Sequence, residues 1–168
     1  MKDLKLKIEL VPSGSWGANI RMLMSKEQWY NIRRKEVIRA GYRCEICGIS
    51  MEKGLHMHEE WEYDDINKIQ KFKRFIMLCP NCHMIKHLGF AEVLANKGEL
   101  DYSTLVKHYM NVNNCTDEDF LRHKDEAFKK WNERSKYTWT IDLGEELGSM
   151  LGVRYLKGNG SYFKDKPL

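Results

Sequence analysis

The chain lacks any apolar run approaching the roughly 18 residues of a membrane span, which argues against a helical membrane protein. Its start, Met1-Lys2-Asp3, lacks an apolar stretch of the secretory kind, and the reading places the protein in the cytoplasm. It has no low-complexity tract and no internal repeat beyond a pair of cysteine knuckles. A strong charge imbalance is also missing: 28 Lys and Arg against 24 Asp and Glu leave a net +4, with a pI near 8.7. That balance permits a polyanionic partner without demanding one. At 168 residues the chain has room for one domain with a core and too little for two independent ones. Hydrophobic residues at 42% and charged residues at 31% give the composition of a globular protein, not a disordered one.

What is present is more pointed. Cys44 and Cys47 form one Cys-x-x-Cys knuckle, and Cys79 and Cys82 form a second. In a reducing compartment paired knuckles favour metal over disulfide. Four thiolates suit a tetrahedral structural Zn2+ and leave it no open position. The fifth cysteine, Cys115, reads as a lone thiol. His83 and His87 follow the second knuckle, and their i, i+4 spacing puts both imidazoles on one helical face, as a shared ligand pair needs.

Around these residues the pattern alternates between period two and period 3.6. Leu4, Leu6, Ile8 and Leu10 alternate with charged residues and predict an N-terminal strand. Ser25 with Gln28 is a capping box, and predicts a helix from Lys26 to about Ala40 with Gly41 as its stop. Between the knuckles, Leu55 to Tyr63 and Phe72 to Leu78 read as an antiparallel pair. Helices are predicted from about Cys82, at Tyr102 to Val112, and at Asp117 to Arg134, the last opening on Thr116 and Asp119. Trp61 and Tyr63 read as sharing the face of His58 and packing beneath the helix. Lys68, Lys71, Lys73 and Arg74, interleaved with Phe72 and Phe75, form the most plausible phosphate-facing patch. A strand with an apolar inner face and a charged outer one would show the same alternation.

The order knuckle, strand, strand, knuckle, helix, with histidines on the helix, resembles the HNH family, the ββα-metal nucleases. The resemblance is strongest over Gly41 to Gly89. From Trp16 to Asp142 the chain is also similar to a group of small bacterial and phage proteins identified as HNH endonucleases. The shared features are Ser-Trp-Gly-Ala-Asn-Ile-Arg near the start, His58-Glu59-Glu60-Trp61-Glu62-Tyr63-Asp64, and Trp139-Thr140-Ile141-Asp142. The resemblance implies that the four cysteines hold a structural zinc. It also implies that His58, His83 and His87 hold a catalytic divalent ion, Mg2+, Mn2+, Ni2+ or Zn2+, with His56 able to replace one of the three. Two positions depart from the family pattern: Glu59 stands where the family has its general-base histidine, and Arg74 where it has an orienting asparagine.

The fold class expected is α+β, with a zinc-stapled ββα centre over about residues 41–97 and C-terminal helices over about 101–136. It would form one HNH-like domain over residues 1–147, with a loosely ordered tail at 148–168. The function expected is metal-dependent hydrolysis of nucleic-acid phosphodiesters, DNA by default. Glu59 would activate water and Arg74 would neutralise developing charge. The alternative is a catalytically degenerate binding protein that sequesters nucleic acid, a nucleotide signal or a protein partner, as in phage counter-defence. A third reading is a zinc module that recognises only protein.

Overall fold

The computed structural model describes residues 4–16, 19–158 and 162–163. Among them the helices are α1 (Ile20–Leu23), α2 (Lys26–Arg39), α3 (Pro80–Lys86), α4 (Leu88–Asn96), α5 (Tyr102–Asn113), α6 (Asp117–Arg134) and α7 (Gly144–Leu151). The strands are β1 (His56–Asp64), β2 (Ile69–Leu78), β3 (Thr140–Asp142), β4 (Tyr155–Lys157) and β5 (Tyr162–Phe163), hydrogen-bonded in the order β1-β2-β3-β4-β5. β1 and β2 are joined by a turn at residues 65–68, a connection short enough only for antiparallel pairing. β3 runs parallel to β2, with Ile69 opposite Thr140 and Lys71 opposite Asp142. The fold is thus α+β, as expected.

The chain divides into two compact units. The first comprises Met1–Leu10, Glu36–His58 and Ile76–Lys130, and the second Val11–Lys35, Glu59–Phe75 and Trp131–Leu168. Each unit gathers three separate stretches, so no linker marks a boundary along the sequence.

The first unit is built on Leu6, Ile8, Leu55, Ile76, Met77, Leu78, Ile85, Leu88, Leu105, Tyr109 and Phe120, all buried. Its N-terminal segment is not the strand that the alternation predicts. Leu6 and Ile8 are buried and Lys5 and Lys7 exposed, so the alternation of faces is real. A strand also needs a ladder, and here the backbone partner is a side chain. The Leu6 N–H donates to Asn113 Oδ1 at 2.9 Å, and Asn113 Nδ2 donates to the Leu6 carbonyl at 2.9 Å. Lys86, buried on α3, is satisfied by Glu9 at 2.9 Å.

The capping boxes form as their spacing predicts. In α2, Gln28 N–H donates to Ser25 Oγ (3.1 Å) and Ser25 N–H to Gln28 Oε1 (2.8 Å). In α6, Thr116 and Asp119 exchange the same pair of bonds at 3.0 and 3.2 Å.

Part of the segment read as a loose tail, its described residues up to Gly158, carries regular structure in the second unit. After Trp139, which is buried and donates its Nε1–H to the Arg134 carbonyl at 2.8 Å, the chain forms β3, α7 and β4 in order. The Gly158 N–H donates to the Trp139 carbonyl at 2.9 Å. Two glycines that read as slack are close approaches instead. A Cβ on Gly158 would fall on the Gly14 carbonyl oxygen, and one on Gly148 would press on Arg154. Gly160 lies outside the described residues. No helix among the described residues is long and apolar enough to cross a membrane.

Candidate functional site

Two groups of metal-ligating side chains lie in the first unit. In the first, Cys44, Cys47, Cys79 and Cys82 bring their sulfurs within 4.8 Å of one another. Local folding explains each position. The Gly48 N–H returns to the Cys44 carbonyl and the Cys44 N–H takes the Ile49 carbonyl, both at 2.9 Å. That reversal needs the positive φ of +79° that Gly48 supplies. Cys79 is the N-cap of α3: its sulfur accepts the Cys82 N–H at 3.4 Å, and Pro80 at the first helical position has no N–H to leave unpaired. Glu45, inside the first knuckle, ties it to the strand that leads into the second. Its carboxylate accepts the Met77 N–H (2.7 Å) and two bonds from Arg39 (2.9 and 2.8 Å), while its own N–H donates to the Met77 carbonyl (2.9 Å).

The donor set fits a soft divalent ion. Cys47 and Cys79 sulfurs are 3.7 Å apart. Tetrahedral Zn–S bonds of about 2.3 Å require thiolates about 3.8 Å apart. Without a cation these thiols compete for one another's protons. Hydrogen bonds from Cys79 and Cys82 hold Cys44 far below the ordinary thiol range, and the Cys44 thiolate in turn pushes Cys79 up to about 11. A cation removes that conflict by taking all four as thiolates.

The second group is His58, His83 and His87, whose ring nitrogens also lie within 4.8 Å of one another. β1 supplies His58, α3 supplies His83, and His87 caps that helix one turn later. Ring centroids are 5.4 Å apart for His58 and His83, 4.9 Å for His58 and His87, and 4.7 Å for His83 and His87. His58 is buried, and burial first, then the neighbouring His87, His83 and Lys86, lower its pKa to about 2. Burial lowers His83 to about 4 and moves His87 the same way. At neutral pH all three are unprotonated imidazoles with lone pairs available. Exposed His56 joins them, its ring 4.8 Å from that of His83. The structure therefore gathers every histidine that the sequence singles out.

The remaining expected residues are placed differently. Glu59 is the next residue after His58 on β1, and successive strand side chains point to opposite faces. Its carboxyl accepts a hydrogen bond from Trp61, two residues on, and burial pushes its pKa up to about 7. Trp61 and Tyr63 share that face, opposite His56 and His58, which corrects the expectation that they lie with His58. Residue parity decides it: positions 56 and 58 are even, and 59, 61 and 63 are odd. Trp61 packs edge-on against Phe72 (5.6 Å) and Tyr63 against Trp139 (5.4 Å).

The basic run divides. Arg74 pairs with Glu60 at 2.8 Å, Lys71 and Lys73 are exposed, and Lys68 lies over the Tyr137 ring at 4.1 Å. Phe72 and Phe75 pack on each other (4.9 Å) and Phe75 on Trp29 (6.0 Å), so the interleaved aromatics serve the core. Asp65 at the turn holds Arg134 through two bonds of 2.7 Å.

Sequence reasoning missed Glu45, Asn113 and His108. The last lies on α5, with its Nε2 3.1 Å from Cys82 Sγ and 4.0 Å from Cys79 Sγ. Glu45 lies inside the first knuckle, but its partners Met77 and Arg39 are not marked by any spacing, and neither Asn113 nor His108 stands at a spacing that relates it to the knuckles. No known protein family, curated protein or solved structure matches the chain.

Proposed function

We propose that the protein is an HNH-like, metal-dependent nuclease that hydrolyses phosphodiester bonds of nucleic acid, DNA by default. The observation that carries this reading is the convergence of His58, His83 and His87 from a strand and the helix that follows a four-cysteine cluster. Three neutral imidazoles are a donor set of the catalytic type, since they leave coordination positions for water and substrate. A divalent ion held there would polarise a phosphate and stabilise the leaving oxygen. The four cysteines would hold a separate zinc that fixes α3, and with it His83 and His87.

The groups around the imidazoles divide the remaining work. His56, exposed on the same strand face as His58, is placed to accept a proton from water. Glu59 has a pKa suited to a base, but β1 turns it to the face opposite His58, which weakens it for that role. That same displacement favours the second reading, a degenerate binder of nucleic acid, a nucleotide signal or a protein. Such a protein would keep the imidazoles and have no base in line.

The test is cleavage of supercoiled plasmid, single-stranded DNA and RNA with Mg2+, Mn2+, Ni2+ or Zn2+. Wild type is compared with His83→Ala, His56→Ala and Glu59→Gln, with metal counted by mass spectrometry. The expected result is metal-dependent cleavage lost in His83→Ala while one zinc per chain remains, and reduced turnover in His56→Ala. A folded, zinc-replete wild type that cleaves nothing overturns the nuclease reading and leaves the binder. Loss of turnover in Glu59→Gln with His56→Ala unaffected returns the base to Glu59.

A further inference from the structure

We infer that His108 is a positioning residue of the cysteine centre: its Nε2–H donates to the Cys82 thiolate and slows loss of the metal. The inference rests on the four cysteines holding a metal and is independent of whether the protein is a nuclease. Three observations carry it. His108 Nε2 stands 3.1 Å from Cys82 Sγ and 4.0 Å from Cys79 Sγ, so one imidazole edge faces the two sulfurs of the second knuckle. α5 holds it there through buried Leu105 and Tyr109 on either side of it, and packs against α3, which carries Cys82. The helix is fixed at both ends, by Asp101 accepting the Ser103 N–H (3.0 Å) and by the left-handed Asn114 at its C-cap.

The chemistry follows from charge. Four thiolates around one divalent ion leave a net charge of about −2. A thiolate so placed is stabilised by any N–H pointed at it, because the bond is charge-assisted and lies in a low-dielectric surrounding. Cys82 is the sulfur most in need of one. Like Cys44 and Cys79 it is buried, but Cys79 accepts the Cys82 N–H at the start of α3, and His108 is the donor that faces Cys82. An N–H held at that distance stabilises the thiolate and fixes its direction, which slows its departure from the ion. Outer partners of this kind typically change metal affinity about 10–100-fold when removed.

The experiment uses the full chain loaded with zinc. Zinc per chain is first counted, and transfer to a coloured chelator is followed at pH 7.5 for wild type, His108→Phe and His108→Gln. Phe fills the space without an N–H, and Gln restores an N–H near the same place. The expected result is release at least about tenfold faster in His108→Phe, with His108→Gln within about threefold of wild type. Cobalt-loaded protein supplies a readout that mere packing would not move. The thiolate-to-cobalt charge-transfer bands should have four-thiolate intensity in all three proteins and shift to lower energy only in His108→Phe. Equal release rates in wild type and His108→Phe overturn the inference, as does a wild type that binds no metal. A three-thiolate, one-imidazole cobalt spectrum also overturns it by making His108 a ligand. Should His108→Phe not fold, release from His108→Gln decides: near the wild-type rate supports donation, and tenfold faster refutes it.

Discussion

At the scale of single residues, the side chains with most influence are polar groups placed where burial changes their chemistry. Glu59 is one. Its folded pKa of about 7 lies above its ordinary 4.5, because burial penalises the carboxylate. A raised folded pKa means stability that is complete below pH 4.5 and lost as pH climbs through 7. Glu59→Gln removes that dependence. The variant should therefore gain stability over wild type between pH 5 and 8, reaching on the order of 2 kcal/mol at pH 8. Urea midpoints of both proteins at the two pH values check this, and a difference independent of pH would refute it. Asn113 is another. Its two bonds to Leu6 stand where a strand ladder would, and both are buried. Asn113→Ala strands a backbone donor and acceptor and should cost about 3 kcal/mol by urea unfolding, with no change in bound metal.

Elements show where local pattern suffices. α2 and α6 begin where their capping boxes predict, because both partners of a box lie within one turn of each other. The β1–β2 hairpin and the helix after the second knuckle are equally local, since four-residue turns and proline at a first helical position are short-range devices. The C-terminal segment differs. Gly148, Gly152 and Gly158 read as slack, yet Gly158 lies there because the Gly14 carbonyl leaves no room for a Cβ. The neighbour that makes glycine necessary is far away along the chain, which no local reading could see. Gly158→Ala should therefore destabilise the protein by about 3 kcal/mol, whereas a flexible tail would tolerate it. Thermal melts of the two proteins distinguish these outcomes.

At the scale of the whole molecule, metal is expected to be part of folding. The cysteine cluster joins the loop after α2 to the start of α3, and Cys44, Cys79 and Cys82 are themselves core residues of the first unit. Removing the ion leaves thiols that must share protons in a buried space. Treatment with a strong zinc chelator should lower the melting temperature by about 10 °C or more, on the order of 3 kcal/mol or above, and restoring zinc should reverse it. An unchanged melt after complete metal removal would show the cysteines to be ordinary core thiols.

The sequence by itself determined the knuckle and histidine spacings, the capped helices and the hairpin. Each rests on residues a few positions apart, where spacing dictates geometry: Cys44 with Cys47, His83 with His87, Ser25 with Gln28. It also supplied the parity that separates His58 from Glu59, two neighbours that a strand sends to opposite faces. Only the tertiary structure decided that Leu4 to Leu10 bonds to Asn113 and forms no strand, and that α7 and β4 follow β3. It alone decided which stretches of chain gather into each of the two compact units and that His108 faces the cysteine sulfurs. Those outcomes depend on groups far apart along the chain, 107 positions for Leu6 and Asn113 and more for Gly14 and Gly158. Contacts at that range are set by which buried surfaces meet, and no periodicity along the chain records them.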